Sequence, residues 1–245
     1  MQEAEGSYSI SLPSTQTFNT VYYASGIWVA GSSRHGLWYS SDGMNWTQVD
    51  HTSTYTVYTV YYANNRWVAG GDTEGLWNST DGMQWSRSLA VAQLTINSVY
   101  YANNLWVAVS TSHGLWYSTD GMNWTQVTGT TSTYTFYLVN YANGLWFAST
   151  LKHGLWYSTD GMSWTQVTGD TASYSFLGVY CFGNIWVACA FSGSYGLWYS
   201  LDGMHWKQVE GYTASYTFYK AFCEADLCVA CSNHGPWYFD ALVFN

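Results

Sequence analysis

Charge is scarce in this chain: 9% of its 245 residues are charged, where a soluble domain carries about 25%. Lys and Arg total 6 against 15 Asp and Glu, giving a formal net charge of -9. So few cations cannot form a basic face that neutralises a run of phosphates, nor a polybasic cluster that holds an anionic membrane. Nucleic acid and membrane surfaces are excluded as partners. Long apolar runs are missing as well, because Ser, Thr, Gly and Asn interrupt every apolar stretch before the roughly 18 residues of a spanning helix are reached. No membrane insertion is expected. Proline is down to 2 residues, and no Pro-rich or charge-rich linker divides the chain, so a single domain over 1–245 is expected. The start Met1-Gln2-Glu3-Ala4-Glu5 is acidic where a secretion signal opens basic, so no signal peptide is expected there.

Aromatic residues fill the space that charge leaves. They make up 20% of the chain, as 16 Trp, 23 Tyr and 10 Phe, a content that excludes disorder. They recur in a unit of about 40 residues, the period of a solenoid, propeller or array. The first copy runs Val21-Tyr22-Tyr23-Ala24, Ile27-Trp28-Val29-Ala30, Gly36-Leu37-Trp38-Tyr39-Ser40 and Asp42-Gly43-Met44-Asn45-Trp46. Trp67, Trp106, Trp146 and Trp186 repeat its first tryptophan, and Trp77, Trp116, Trp156 and Trp198 its second. A sixth, decayed copy has Cys228 and Trp237 at these positions.

Short apolar runs rich in Val, Tyr, Trp and Phe, separated by Gly, Asn and Asp turns, read as strands. In the fourth copy they fall at 136–142, 145–149, 154–158 and 163–167, the first two joined at Asn143-Gly144, a strong hairpin signal. Nothing in the chain reads as helix. Four antiparallel strands per unit make a propeller blade, and nearly continuous apolar strands fit sheets covered on both faces. The expected fold class is all-β: a six-bladed β-propeller of four-stranded antiparallel blades, with repeats starting near 18, 57, 96, 136, 176 and 218. Residues 7–12 are expected to supply the fourth strand of the sixth blade and so close a monomeric ring without bare sheet edges.

The segment Ser40-Ser41-Asp42-Gly43-Met44-Asn45-Trp46, repeated at Asp81, Asp120, Asp160 and Asp202, resembles the Asp-box (BNR) hairpin of sialidases and related propellers, although Asp and Gly are here adjacent. The whole repeat looks like blades of propeller lectins and of phage or secreted bacterial receptor-binding proteins. The five aspartates are read as structural, each bonding backbone N–H groups within its own turn while Gly takes positive φ and Trp packs over the hairpin. Sialidase chemistry in the resembling family uses three arginines on the substrate carboxylate. This chain has Arg34, Arg66 and Arg87, in three unlike positions of the repeat. Other glycosidases place two carboxylates across one bond, and outside the turns only Asp72 and Glu74 lie close in sequence, read as a solvated loop. No Gly-x-Ser-x-Gly elbow, phosphate loop or His-Glu-x-x-His helix is present. The chain is read as no enzyme, with no catalytic residue and no cofactor.

Candidate ligand-binding residues come from positions where the copies differ. His35, His113, His153 and His234 share one position before the Gly that opens the third strand, with Glu74 and Tyr195 as equivalents. Ligands from separate blades stand too far apart to coordinate one ion, so no metal is expected. The loops between second and third strands vary in charge and length, and connections between blades, carrying Tyr55, Tyr134, Tyr174 and Tyr216, emerge on the same face. Trp38, Trp77, Trp116, Trp156, Trp198 and Trp237 begin the third strands beside them. Flat aromatic faces with polar edges, set among hydroxyls on a rigid scaffold, suit neutral glycans. The first expectation is thus a multivalent, lectin-like or receptor-binding propeller with quasi-equivalent sites, its partners neutral glycans or a glycosylated surface receptor. Its place would be extracellular, at a surface or on a virion. A protein-interaction or structural domain of a phage or surface protein is the alternative, with a glycoside hydrolase remnant behind both.

All five cysteines lie in the last two copies. Cys223 and Cys228 face each other if 225–226 is a turn, near disulfide geometry; the other reading makes all five small buried apolar residues.

Overall fold

A computed structural model describes residues 16–191, 196–209, 216–224 and 227–240, and the strand expected at 7–12 lies outside them. The described residues form six antiparallel sheets: five have four strands and the sixth, three. In every sheet the strands neighbour one another in chain order. First strands run Phe18–Ala24, Val57–Ala63, Ile96–Ala102, Phe136–Ala142, Phe176–Phe182 and Phe218–Glu224. The fourth strands, such as Thr165–Gln166, are only two residues long. Helical structure, which the apolar pattern does not announce, appears as single 3₁₀ turns in the connections between sheets: Asp50–Thr52, Leu89–Val91, Thr130–Thr133 and Asp170–Ser173. A turn of three or four residues carries no helical periodicity to read.

The chain groups into two compact units, one drawn from 1–99 with 120–124, the other from 100–119 with 125–245. Sheets one and two lie in the first unit. Val29, Leu37 and Val49 of sheet one pack there against Val57, Val60, Trp67, Ala69 and Trp85. Sheets four to six lie in the second, where the same arrangement recurs three times. In the second strand of sheet four, Trp146 and Ala148 pack with Leu105, Val107 and Leu115, while Phe147 between them packs with Phe176, Val179 and Trp186 of sheet five. Both faces of the strand are covered, so the period-two alternation of a half-exposed strand gives way to an unbroken apolar run. Trp67, Trp106, Trp146 and Trp186 are all fully buried, and truncating such a side chain costs about 3 to 5 kcal/mol.

In sheets one to four the hairpins between first and second strands have positive φ at both central residues, for example 50° and 80° at Asn143-Gly144 and 52° and 79° at Ser25-Gly26. That twist suits tight two-residue connections, which is why Asn, Ser and Gly hold these positions. In sheet six, Cys223 and Cys228 are directly opposed and joined by a disulfide. Cys189 is buried and Cys181 half-buried, but Cys231 is exposed, which corrects the reading that all five thiols are buried apolar groups.

Candidate functional site

In the five four-stranded sheets the two ends are held by different groups. At one end the turn between third and fourth strands is fixed by its aspartate. Oδ1 of Asp42, Asp81, Asp120, Asp160 and Asp202 accepts the backbone N–H groups two and three residues on, at 2.7 to 2.8 Å. The preceding serine hydroxyl donates to the carboxylate and accepts the glycine N–H, as Ser40 does at 3.0 and 2.9 Å. The indole N–H of Trp46, Trp85, Trp164 and Trp206 donates to the carbonyl of that glycine. These donors favour the ionised carboxylate. The Asn45 N–H, then its side-chain amide, the Met44 N–H and the Ser40 hydroxyl hold Asp42 well below the usual carboxylate range. In Asp81, Asp160 and Asp202 burial pushes upward, and the donors together outweigh it. The aspartates therefore serve their own turns, as the sequence suggests.

At the other end the backbone itself is the fixing group. Gly36, Gly75, Gly114 and Gly154 donate their N–H to the carbonyls of Tyr55, Leu94, Tyr134 and Tyr174 in the following connection. On the other side, Ser33, Asp72, Leu151 and Phe191 donate theirs to Thr17, Thr56, Thr135 and Ser175. Between these anchors Arg34, Thr73, Ser112 and Lys152 take φ of 64°, 49°, 61° and 70°. Their N–H groups reach the hydroxyls of Thr56, Thr95, Thr135 and Ser175 at 3.0 to 3.5 Å. Each loop is thus clamped between two connections by bonds that do not use its own side chains, which are left to vary.

Against this frame the expected ligand residues divide. The His35, His113 and His153 carbonyls accept the indole N–H of Trp38, Trp116 and Trp156, at 2.9 to 3.0 Å. They also accept the side-chain amides of Gln48, Gln126 and Gln166. In sheet two, Arg87 substitutes for that glutamine: its Nε donates to the Glu74 carbonyl and its Nη1 pairs with the Glu74 carboxylate at 2.8 Å. The imidazoles of His35, His113 and His234 are exposed, and that of His153 is half-buried. Tyr134 stacks on His153 with ring centres 3.7 Å apart, and Tyr216 on His234 at 4.2 Å. Tyr55, Tyr134, Tyr174 and Tyr216 each lie 5.3 to 6.0 Å from Trp77, Trp156, Trp198 and Trp237 of the following sheet. The tyrosines therefore spend one aromatic face on protein neighbours. Trp38, Trp156 and Trp198 are buried, whereas Trp77, Trp116 and Trp237 are half-buried. Tyr195 lies outside the described residues.

One open cleft forms on this end between sheets one and two, with a volume of about 660 Å³, lined by Thr17, Ser33, Arg34, His35, Thr56, Tyr58 and Asp72. Of these, the sequence singles out His35 as a ligand residue; it weighs Arg34 as one of three scattered arginines and Asp72 as half of a solvated loop pair with Glu74, and names neither as a ligand residue. Asp72, which lines the cleft, accepts the Thr95 hydroxyl on its Oδ1 at 3.1 Å. Burial, then the charge of Asp72, raises the Tyr58 hydroxyl above its ordinary value, so it is a neutral donor at physiological pH. Asp72 and Glu74, adjacent but one in sequence, serve different roles: one lines the cleft while the other pairs with Arg87. The repeat register exposes the same distinction, since Ser33 and Asp72 align with Leu151 and Phe191, making this position polar in one part of the chain and apolar in another.

No family model matches the chain, and no curated protein matches it either. Solved structures do. The extracellular domain of the two-component system BT4673 from B. thetaiotaomicron has a TM-score of 0.73 at 11% identity over 94% of this chain and 33% of its own. YCF48 bound to D1 peptide gives 0.67 at 17% identity, over 91% of this chain and 77% of its own. The GH74 xyloglucanase from Xanthomonas campestris gives 0.68 at 13%, over 91% of this chain and 44% of its own. The chain thus spans less than half of the xyloglucanase and of the two-component domain. At these identities the likeness is one of fold, and that fold is an all-β propeller built from six blades.

Proposed function

We propose that the chain is a binding module whose primary site is the cleft between sheets one and two, and that it takes the hydroxyl-rich surface of a glycan. The observation that carries this reading is the lining of the cleft. Arg34 offers donors, Asp72 acceptors, and Tyr58, His35, Thr17, Ser33 and Thr56 offer groups of both kinds on a backbone fixed from both sides. Sugar hydroxyls both donate and accept, and a preorganised set of mixed partners binds them without first being ordered. The frame repeats but its side chains do not, so the blades present unequal sites, one of which dominates.

Binding rather than catalysis fits the single carboxylate in this lining, where glycoside hydrolysis commonly uses two across the scissile bond. A glycan or glycosylated receptor at a cell or virion surface is the partner such a cleft suits. Among the described residues no helix is long and apolar enough to cross a membrane. The test is a glycan array with the full chain and the Arg34→Ala, Asp72→Ala double variant. Binding that weakens at least about tenfold, the equivalent of one charge-assisted hydrogen bond, supports the site. Binding to no glycan, or unchanged binding by the double variant, contradicts it. Hydrolysis of an aryl-glycoside panel would overturn the non-catalytic reading.

A further inference from the structure

A second cleft, of about 620 Å³, lies in the second unit between the outer strands of sheets four and five. Tyr157 and Trp206 form its floor, with Thr165, Thr168 and Gly169 along one wall. The floor belongs to the scaffold. Both rings pack into the core of the two sheets, Trp206 edge-on to Phe147 at 6.1 Å, and Trp206 donates its indole N–H to the Gly203 carbonyl at 2.8 Å. The same tyrosine and tryptophan recur as Tyr117 with Trp164 and as Tyr39 with Trp85, packed in the equivalent cores.

What sets this cleft apart is its rim. Lys207 stands where the other copies have Thr47, Ser86, Thr125 and Thr165, and His205 where they have Asn45, Gln84, Asn123 and Ser163. Across the cleft Asp170, exposed at the start of its 3₁₀ turn, takes the place held by Thr130 in the preceding copy; the first copy also opens this turn with an aspartate, Asp50, but faces it with Gln84 and Ser86, so acid and base meet across the floor in this cleft. In a chain with only 9% charged residues, three ionisable side chains have been substituted around one repeated floor. His205 is held through its Nδ1, 2.7 Å from Asp202, and its side chain is exposed. Gly169 has φ of 94° and open space where a side chain would stand, so the backbone of this wall is accessible.

We propose that this cleft is a docking site for a short extended peptide of a partner protein, in which an apolar or aromatic residue seats on Tyr157 and Trp206 between an acidic and a basic residue. The acidic residue pairs with Lys207 on the sheet-five lip, and the basic one with Asp170 on the sheet-four lip. A peptide that carries an acidic and a basic residue on either side of its seated one pairs with both lips at once, and electrostatic complementarity then fixes its direction. This site does not depend on the glycan reading of the other cleft, with which it shares no residue.

The test uses the full chain and capped synthetic peptides with a central tryptophan: Glu-Trp-Lys and Lys-Trp-Glu cores against a Ser-Trp-Ser control, followed by calorimetry or by NMR shifts. One charged order is expected to bind at least about tenfold more tightly than the control, with an affinity that falls as salt rises because both pairs are solvent-accessible. The variant Lys207→Thr, His205→Asn, Asp170→Thr restores residues that other copies of the repeat carry, so its fold is expected to persist. It should bind all three peptides equally. A charged peptide that binds no better than the control, or a triple variant that binds as the parent does, overturns the proposal, as does salt-independent occupation of this cleft by a neutral saccharide. The Arg34→Ala, Asp72→Ala variant should leave peptide binding unchanged, so failure of one site is distinguishable from failure of the other.

Discussion

In the five four-stranded sheets the aspartate turn at one end and the loop at the other are both tied down, yet one hardly varies between copies and the other varies freely. The difference lies in which atoms do the tying. At the turn end a side chain supplies the acceptors: Asp160 alone receives two backbone N–H groups and a serine hydroxyl. No other residue of similar length offers a charged acceptor there, so the position cannot change. At the loop end main-chain carbonyls, together with a Thr or Ser hydroxyl from the adjacent connection, supply the bonds. The side chains at 33–35 and their equivalents are not needed for this backbone clamp, although Ser33, Asp72 and Glu74 add bonds of their own, and they can take on charge, ring or hydroxyl as a ligand requires.

The sharpest way to break this contrast is at the backbone of the loop end. A Cβ at Gly75 would strike the Val91 carbonyl, and its φ of +71° already disfavours a side chain. Gly75→Ala is expected to destabilise by about 3 kcal/mol or more, from clash and left-handed strain together. Urea unfolding measures it, and a loss below about 1 kcal/mol would mean that the loop end is plastic in its backbone as well. At the turn end, Asp160→Ala should cost about 1 to 2 kcal/mol, the usual loss when a capping acceptor is removed, with Asp160→Asn costing less.

The same aspartates set a pH dependence. Their folded-state pKa values are lowered from 3.8, so the stability they confer is fully present above the unfolded value and disappears as pH falls below it. Thermal melts should be flat in this respect above about pH 5 and fall steeply on further acidification, with a shallower fall in Asp160→Asn. An equal acid slope in parent and variant would remove the aspartate from the account. The smallest effect is expected at Lys152, whose φ is 70°. Lys152→Gly relieves the left-handed conformation and should change stability by less than about 1 kcal/mol, in either direction. A large loss would show that the loop side chain does hold the fold.

The strands were legible because second strands buried on both faces read as apolar runs, as in Leu145–Thr150, and because Asn143-Gly144 marks its hairpin. The aspartate turns were legible for a related reason: their function is local, confined to seven consecutive residues such as Ser40 to Trp46. The cleft was only half legible. Variation at 31–35 and 70–74 marks the loops, but whether Asp72 or Glu74 faces the cleft depends on Arg87, thirteen residues beyond Glu74, which draws the glutamate away. Tyr58 had no local signal, since it belongs to a first strand and gains its meaning from Asp72 across the sheet. The stacking of Tyr134 on His153 likewise joins residues that are distant in sequence, and it turns two expected ligand contacts into one preformed pair.

The most direct test of the glycan site is a crystal soaked in mixed monosaccharides. The cleft between sheets one and two should hold a sugar whose hydroxyls lie within hydrogen-bond reach of Asp72 and Arg34, with Tyr58 beside the ring. A cleft left empty at saturating sugar, or sugar bound only at another surface, would contradict the account.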